Sequence, residues 1–310
     1  MKVIYDAGRI KRHFKKSMLA IGVFDGLHLG HRYLIKQMIK KSKLINGTSI
    51  VMTFFPHPIH VLKPQVYLPF LVSLKHRLKL IEEIGVDVCI IIRFTKKFSN
   101  LTPKNFVKKY LVDKIHPKEV FVGNDFAFGK NRGGDIDFLK KEGEHYNFKV
   151  TAISPVKRGN RVISSTRIRK LITTGKIDVA SELLGRPVSV LGEVRRGDAR
   201  GKILGFPTAN IYPAGEIIPP RGVYLVKVTI DKKMFQGIAN VGERPSFKKG
   251  NVINIEVHIF NFNRDIYEKE IEIMFLRKIR NERKFSSKDT LIDQLKKDEK
   301  KAKILFKKIV

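Results

Sequence analysis

The chain has 310 residues, of which 43% are hydrophobic, so it is long enough for two ordinary domains or one large one, each with a buried core. It carries 62 Lys and Arg against 29 Asp and Glu, a formal net charge of +33, and no run approaches the roughly 20 apolar residues of a membrane helix. The single cysteine, Cys89, excludes an intramolecular disulfide and a cysteine-based metal cluster. No signal-like apolar stretch opens the chain, so we expect it to be cytoplasmic.

The positive charge suits a polyanionic partner such as nucleic acid, or anionic substrates drawn in by a positive field. The lysines are spread along the whole chain, however, which favours a general lysine bias with solvated charged faces. We therefore expect no specific nucleic-acid partner and no membrane partner. For the assembly we expect a monomer or a weak oligomer.

The first half of the chain alternates short apolar runs with amphipathic stretches. Strands are predicted at 18–24, 49–55, 86–94, 119–123 and 148–153, and helices at 32–41, 75–85 and 103–115. Because the strands are apolar nearly throughout, they predict a parallel sheet that is buried on both faces. Cys89 lies in one of them, which favours a buried position over a reactive thiol. This half is expected to be a doubly wound, Rossmann-like α/β domain.

After Gly185 the pattern changes to strands separated by turns, with little helix between them. The predicted strands are 188–194, 222–230, 233–241, 251–262 and 269–276, and an amphipathic helix is predicted at 286–308. This pattern favours an antiparallel β-barrel followed by a C-terminal helix. We place the boundary near residue 185, which gives domains 1–185 and 186–310.

A segment rich in glycine and histidine, GVFDGLHLGH at 22–31, lies where the strand at 18–24 gives way to a helix. At this edge of a parallel sheet α/β proteins bind ligands, and a helix N-terminus favours phosphate groups. The glycines let the backbone approach a ligand closely. His28 and His31 are placed in the first helical turn, where both suit donation to phosphate oxygens. For this segment alone, two solvated histidines at a helix start are the alternative.

The HxGH pattern at 28–31, together with ISSTRIR at 163–169, resembles the nucleotidyltransferase superfamily, which transfers AMP or CMP from a nucleoside triphosphate. TFFPHP at 53–58 and VGNDFAFG at 122–129 resemble its FAD synthetase module. The resemblance implies that the FMN phosphate attacks the α-phosphorus of ATP and that pyrophosphate leaves, with no protein nucleophile. It also implies that His28 and His31 are catalytic. The residues that it implies to contact ATP are Gly22, Phe24, Asp25, Gly26, His28, His31, Ser165, Thr166 and Arg169.

The same resemblance implies that Asn124 and Asp125 face the flavin or the adenine. Phe55 departs from it, because related sequences often carry an acidic residue there. Flavin affinity in this half is therefore open, and a kinase with a degenerate adenylyltransferase half is one alternative. His57 and His60 have no third close ligand, so no zinc site is expected.

A second glycine-rich segment, GDARGKILGFPTANI at 197–211, carries Arg200 and Lys202 in a loop that suits phosphates. Thr208 and Asn210 supply oxygen atoms, the ligands that Mg²⁺ prefers. A hairpin turn with basic residues is the alternative. The segment resembles the riboflavin kinase signature, and further matches to that family are RGVY at 221–224, GIANVGERPSF at 237–247, IEVH at 255–258 and IRNERKF at 279–285.

The kinase resemblance implies ATP contacts at Gly201, Lys202, Gly205, Pro207, Thr208 and Asn210, with Thr208 and Asn210 at the metal. It also implies that Glu256 orients or deprotonates the ribityl hydroxyl of riboflavin for attack on the γ-phosphorus. A solvent-facing glutamate on a strand is the alternative at that position. Asn261, Arg264 and Glu268 stand where the family commonly has Asp, Gly and Gly, so we expect an altered loop conformation there.

The resemblance covers residues 18–298. It implies that the chain is a member of the bacterial bifunctional family that makes FMN from riboflavin and then FAD from FMN. Its substrates and products would be riboflavin, FMN, FAD and ATP, with Mg²⁺ at both steps. A different nucleotidyltransferase would not carry GFPTAN and IEVH after the first motifs. A nucleic-acid-binding protein would explain the charge, but the chain has no recognisable nucleic-acid module.

Overall fold

The computed structural model describes residues 1–6, 8, 10, 14–197, 201, 204–213, 215–244 and 252–309, with the backbone alone described at 243, 244, 252, 253 and 309. The chain divides into two compact units. The first comprises Met1–Pro69 and Leu74–Ser165, and the second comprises Phe70–Ser73 and Thr166–Val310. The chain therefore joins the second unit for four residues before it returns to complete the first.

The first unit is built on a six-stranded parallel sheet in the order β1-β4-β3-β2-β5-β6. Its strands are β1 Lys2–Tyr5, β2 Met18–Ile21, β3 Ser49–Phe55, β4 Val88–Arg93, β5 Glu119–Gly123 and β6 Lys149–Ile153. The central strands β2, β3 and β4 are buried almost throughout, as expected for parallel strands that are covered on both faces. From β2 the strand order extends in both directions, so the loop after β2 leaves the sheet at its topological switch point.

Helices cover this sheet and connect its strands. They are α1 Leu29–Leu44, α2 Pro58–Leu62, α3 Leu74–Ile84, α4 Lys96–Ser99, α5 Pro103–Phe106 and α6 Ile136–Tyr146. A π-helical turn, Val107–Val112, continues α5, and a 3₁₀ turn follows at Lys130–Arg132. A short hairpin, β7 Lys157–Arg158 with β8 Arg161–Val162, completes the unit. Phe106 and Leu111 pack into the same apolar core as the sheet residues Leu19 and Ile90.

The second unit is a closed antiparallel barrel of six strands, ordered β10-β13-β12-β11-β14-β9, in which β9 pairs with β10 to close the ring. The strands are β9 Val188–Arg195, β10 Ala209–Pro213, β11 Gly222–Ile230, β12 Lys233–Arg244, β13 Val252–Ile259 and β14 Glu270–Arg280. The helices are α7 Ser165–Thr173, which enters from the first unit, α8 Ile177–Leu184 and α9 Lys288–Ile309. Ala302 and Phe306 of α9 pack on Leu225 and Ile238 of the barrel.

A buried carboxylate holds the four-residue segment Phe70–Ser73 on this barrel. Glu216 is only 4% exposed, and its Oε1 accepts the Ser73 N–H at 2.7 Å while its Oε2 accepts the Leu191 N–H at 3.0 Å. The backbones also pair, since the Ile217 N–H donates to the Phe70 carbonyl at 2.7 Å. Two backbone donors thus offset the cost of burying the charge.

The predicted fold class, a doubly wound α/β domain followed by an antiparallel barrel and a C-terminal helix, is confirmed. The strand predicted at 18–24 is β2, and it was predicted three residues too long, because Phe24 adopts a left-handed φ of 51° that a strand does not allow. Strand β1, the short β7–β8 hairpin and strand β10 were missed, the last because its residues lie in a motif interpreted as a loop. The domain boundary near residue 185 stays a prediction. Within the described ranges, no helix is long and apolar enough to cross a membrane.

Candidate functional site

The loop after β2 has an unusual backbone. Phe24, Gly26 and Leu27 all have positive φ, at 51°, 82° and 44°. For the two residues that are not glycine this costs on the order of 1 kcal/mol each, and such strain is concentrated at functional sites. Phe24 and Asp25 are each 2% exposed, so the centre of the loop is packed into the protein. Gly22 anchors its start by donating to the Met52 carbonyl at 3.1 Å.

His28 and His31 form a stacked pair at the N-terminus of α1. Their ring centroids are 3.6 Å apart and their planes differ by 19°. His28 is the N-cap rather than a residue of the first turn, and its Nδ1 accepts the His31 N–H at 3.3 Å. A Cβ atom at Gly30 would lie only 3.2 Å from Cε1 of His28, so the glycine lets that ring rest against the helix backbone.

Burial keeps both imidazoles neutral. It lowers the pKa of His28 to about 4, against the opposing influence of a backbone hydrogen bond and of Asp125. The pKa of His31 is held well below its ordinary value by burial, and the charges of His28 and Arg77 lower it further. Because Nδ1 of His28 accepts a hydrogen bond, the hydrogen-bond pattern assigns the proton to Nε2, which is left as a donor. Nδ1 of His31 is buried and has no partner.

The other residues expected at this site fall into two groups. The Ser165 hydroxyl donates to the Asp25 carbonyl at 2.9 Å, which ties the ISSTRIR segment to the loop after β2. Thr166 and the buried Arg169 follow in α7, within the second unit. Asn124 and Asp125 are exposed residues directly after β5, and the charge of Asp125 acts on His28.

The segment after β3 carries the departure at Phe55 and the two histidines near it. Phe55 is 37% exposed at the end of the strand. His57 caps α2, since its Nδ1 accepts the Ile59 N–H at 3.2 Å, and Nε2 of His60 lies 2.8 Å from the Leu68 carbonyl oxygen. Among the described residues, no three or more His, Cys, Asp or Glu side chains are grouped to hold a metal ion.

In the barrel, Glu256 lies among asparagines. It is half-buried on β13 and pairs in register with Asn210 of β10 on one side and with Asn240 of β12 on the other. Directly paired residues share a face of the sheet, as does Asn254 two positions earlier on the same strand. The Asn254 Nδ2 donates at 3.0 Å both to Oε1 of Glu256 and to Oδ1 of Asn210. The alternative amide flip is excluded, because a carboxylate oxygen is not a donor.

The described parts of the glycine-rich segment pack closely on this cluster. A Cβ atom at Gly197 would overlap the Asn210 side chain, and one at Gly201 would lie 3.0 Å from the Thr208 hydroxyl oxygen. Gly205 has a φ of 79°, and it precedes the exposed Pro207, whose carbonyl oxygen lies 2.8 Å from Nδ1 of His258. Arg200 and Lys202, both expected at phosphate, lie outside the described residues.

The donor set of this cluster suits a hard divalent cation. Thr208 and Asn210 offer oxygen atoms, and Oδ1 of the 8%-exposed Asn254, whose amide donates to Asn210, is buried without a hydrogen-bond partner. Oxygen ligands of this kind fit Mg²⁺.

The three departures downstream of Glu256 have defined conformations. Asn261 and Glu268 have φ values of 52° and 63°, in the left-handed region that favours glycine. The Arg264 guanidinium lies 5.0 Å from the ring centre of Phe262 and 5.5 Å from that of Phe235. The altered loop conformation expected at these residues stays a prediction.

Two residues of these sites were missed by the sequence analysis, Arg77 and Asn254. Arg77 follows the helical period of the buried face of α3, together with Leu80 and Ile81, which is the signal that would have marked it as buried. Asn254 is two positions before Glu256, so the strand period places both on one face.

Comparison with known proteins finds a matching family for each half of the chain. A family model described as FAD synthetase matches residues 10–167, and one described as riboflavin kinase matches residues 184–306. Two curated proteins named bifunctional riboflavin kinase/FMN adenylyltransferase are among the relatives. The protein of Buchnera aphidicola subsp. Schizaphis graminum is 40% identical over 96% of each chain, and that of Escherichia coli K12 is 36% identical over 93% of this chain and 92% of its own.

The fold also matches a solved structure described as a macrolide-efflux protein from Streptococcus pneumoniae. The TM-score is 0.85 at 31% identity, with 98% of this chain and 99% of the other covered. That description applies to the Streptococcus protein.

Proposed function

Because this chain belongs to the family of bifunctional riboflavin kinases and FMN adenylyltransferases, we propose that its two polar sites divide the two reactions between them. The protein phosphorylates riboflavin to FMN with ATP, and it adenylylates FMN to FAD with a second ATP. We assign adenylylation to residues 1–185 and phosphorylation to residues 186–310. The observation that carries this division is that the stacked histidines and the Glu256 cluster belong to different structural units.

In the adenylylation site, an FMN phosphate oxygen forms a bond to the α-phosphorus of ATP as the bond to pyrophosphate breaks. No proton needs to be removed from the FMN phosphate, so donors rather than a base are required. Neutral His28, with its proton on Nε2, and His31 supply donors at a helix N-terminus, where backbone N–H groups also favour phosphate. Ser165, Thr166 and Arg169 are assigned to the same triphosphate.

In the phosphorylation site, the ribityl hydroxyl oxygen of riboflavin forms a bond to the γ-phosphorus of ATP, and ADP leaves. Glu256 accepts the hydroxyl proton, with its carboxylate oriented by the amide of Asn254. Thr208 and Asn210 would hold Mg²⁺, which neutralises charge on the phosphates when it is bound. Gly201, Lys202, Gly205 and Pro207 are assigned to the ATP phosphates.

Single substitutions in opposite halves test this division. Glu256→Gln keeps the shape of the side chain but removes the proton acceptor, so riboflavin phosphorylation should fall by roughly 10²–10⁴. His31→Ala removes a phosphate donor, so FAD formation should fall while FMN formation continues. Each variant is incubated with MgATP and either riboflavin or FMN, and the flavins are resolved by chromatography.

Each substitution serves as the control for the other, because both proteins should fold and keep one activity. The division would be wrong if Glu256→Gln abolished FAD formation from added FMN, or if His31→Ala stopped FMN formation in a folded protein. A parallel assay in excess EDTA tests the metal, and both reactions are expected to stop.

A further inference from the structure

A fully buried arginine lies beneath the loop that follows β2. Arg77 is on α3 and has 0% relative exposure, and among the described residues it is the largest side chain to be so completely buried. Arginine is almost never fully buried unless it is paired, because removing its charge from water is costly. The presence of a buried arginine at this position therefore calls for a physical reason.

The contacts of Arg77 join two of the motifs assigned to adenylylation. Its Nη1 donates to the Val23 carbonyl at 2.9 Å, to the Thr53 hydroxyl at 3.2 Å and to the Phe54 carbonyl at 3.3 Å. The Thr53 hydroxyl in turn donates to the Val23 carbonyl at 2.9 Å. A single guanidinium nitrogen thus fixes the loop after β2 against the end of β3.

The rest of the guanidinium is not paired. Nε and Nη2 are buried and have no hydrogen-bond partner. Burial lowers the pKa of Arg77, and the charge of the buried Asp25 is the main influence that opposes this. The charge of Asp25 therefore offsets only part of the cost of burying the Arg77 cation.

We propose that Arg77 is a positioning residue for adenylylation, whose buried charge stabilises the polyphosphate of ATP from beneath the loop at 22–31 while its Nη1 holds that loop in place. The proposal rests on the assignment of this loop to the triphosphate. Since the side chain is fully buried, it acts through the loop and through space, in a medium where a charge is screened less than in water. An anion bound above the loop would offset the cost that the unpaired guanidinium imposes on the free protein.

Two substitutions separate the charge from the packing. Arg77→Met keeps most of the apolar volume and removes the charge, whereas Arg77→Lys keeps the charge on a different head group. For Arg77→Met we expect the KM for ATP in FAD formation to rise about tenfold or more. The urea midpoint of the full chain should change little, because the cost of leaving the Val23 and Phe54 carbonyls without this donor opposes the gain from removing an incompletely paired buried charge. Arg77→Lys should restore most of the affinity for ATP.

The KM for ATP distinguishes this role from a structural one. A purely structural arginine would lower the urea midpoint in the Met variant and leave the KM for ATP of the folded protein unchanged, and that result would overturn the proposal. Equal KM values for the Lys and Met variants would also overturn it, because the charge would then be irrelevant. If Arg77→Met does not fold, Arg77→Gln gives the same neutral comparison and still offers a donor to Val23.

Two controls complete the experiment. Lys40→Met removes one charge from an exposed position on α1 and should leave the KM for ATP unchanged. Riboflavin phosphorylation by each Arg77 variant should match that of the unsubstituted protein. If His31→Ala also leaves FAD formation intact, the assignment of the loop has failed. If His31→Ala impairs FAD formation and Arg77→Met does not, only the role of Arg77 has failed.

Discussion

Asn254 donates one hydrogen bond to Glu256 and another to Asn210, both at 3.0 Å, so a single amide connects the proposed base to a proposed metal ligand. The two acceptors are on different strands, β13 and β10. The amide therefore sets the carboxylate orientation on which proton transfer depends.

Asn254→Ala should lower kcat for riboflavin phosphorylation by about 10- to 100-fold, because a hydrogen bond to a charged group contributes about 1.5–3 kcal/mol. FAD formation from added FMN is the internal control and should stay normal. Steady-state kinetics with riboflavin as the varied substrate measure the effect. A variant with unchanged kcat would show that Glu256 does not depend on this amide.

Glu268→Gly should raise the free energy of unfolding. The residue has a φ of 63°, which costs a non-glycine residue about 1–2 kcal/mol, and glycine removes this cost. The greater entropy of glycine in the unfolded chain lowers the free energy of unfolding by about 0.5–1 kcal/mol. We expect a net gain of up to about 1 kcal/mol by urea unfolding. Glu270→Gly, at the start of β14 with no positive φ, is the matched control and should be destabilising. A loss of stability in both variants would argue against backbone strain at 268.

His28→Asn should reduce the loss of stability at low pH. The folded pKa of about 4 is below the ordinary value of 6.5, so the unfolded chain binds the proton first as the pH falls. The stability that His28 contributes is present above pH 6.5 and falls by about 3 kcal/mol as the pH reaches its folded pKa. Asparagine is a good N-cap without a titrating group, so it should flatten this part of the profile.

Urea unfolding of both proteins between pH 7 and pH 4 measures the difference. His145→Asn changes an exposed histidine on α6 and should leave the profile as it is. If His28→Asn has the same pH dependence as the unsubstituted protein, His28 is not the group that titrates.

A fragment of residues 166–310 should be more stable than one of residues 186–310. Helix α8 packs on β9 and β14 through four residues that are at most 2% exposed, namely Ile177, Ala180, Leu183 and Leu184. Removing their buried surface should cost at least about 3 kcal/mol. Both fragments contain the kinase motifs, so both should make FMN if they fold, and neither should make FAD. Equal melting temperatures would contradict the role of α8.

Binding of random-sequence DNA should be weak and should disappear at physiological salt. The charge of +33 is spread over the chain, so it should act as a general attraction rather than as a site. A salt titration by fluorescence anisotropy, with two unrelated DNA sequences, measures this. Sequence-selective binding that persists at physiological salt would contradict it.

The sequence predicted the sheet and the barrel because apolar periodicity records which side chains are buried. It did not predict β10, since Ala209–Pro213 lies in a segment rich in glycine and proline that was interpreted as a loop. Motif spacing located His28 and His31, but it could not show that the His28 ring caps the helix, which depends on a side-chain rotamer. The helical period that Arg77 shares with Leu80 and Ile81 marks a buried position, but the sequence could not show that the guanidinium contacts the loop after β2, which depends on the fold.

The segment Phe70–Ser73 restricts how this enzyme can be recombined. Because Glu216 accepts the Ser73 N–H, a chimera that joins one relative's adenylyltransferase half to another's barrel would separate the carboxylate from the four-residue segment that it binds. Any exchange of modules, in the laboratory or in evolution, would have to carry this short stretch from the middle of the first half along with the barrel. The boundaries of an exchangeable module would therefore be set by contacts in the fold rather than by one position in the sequence.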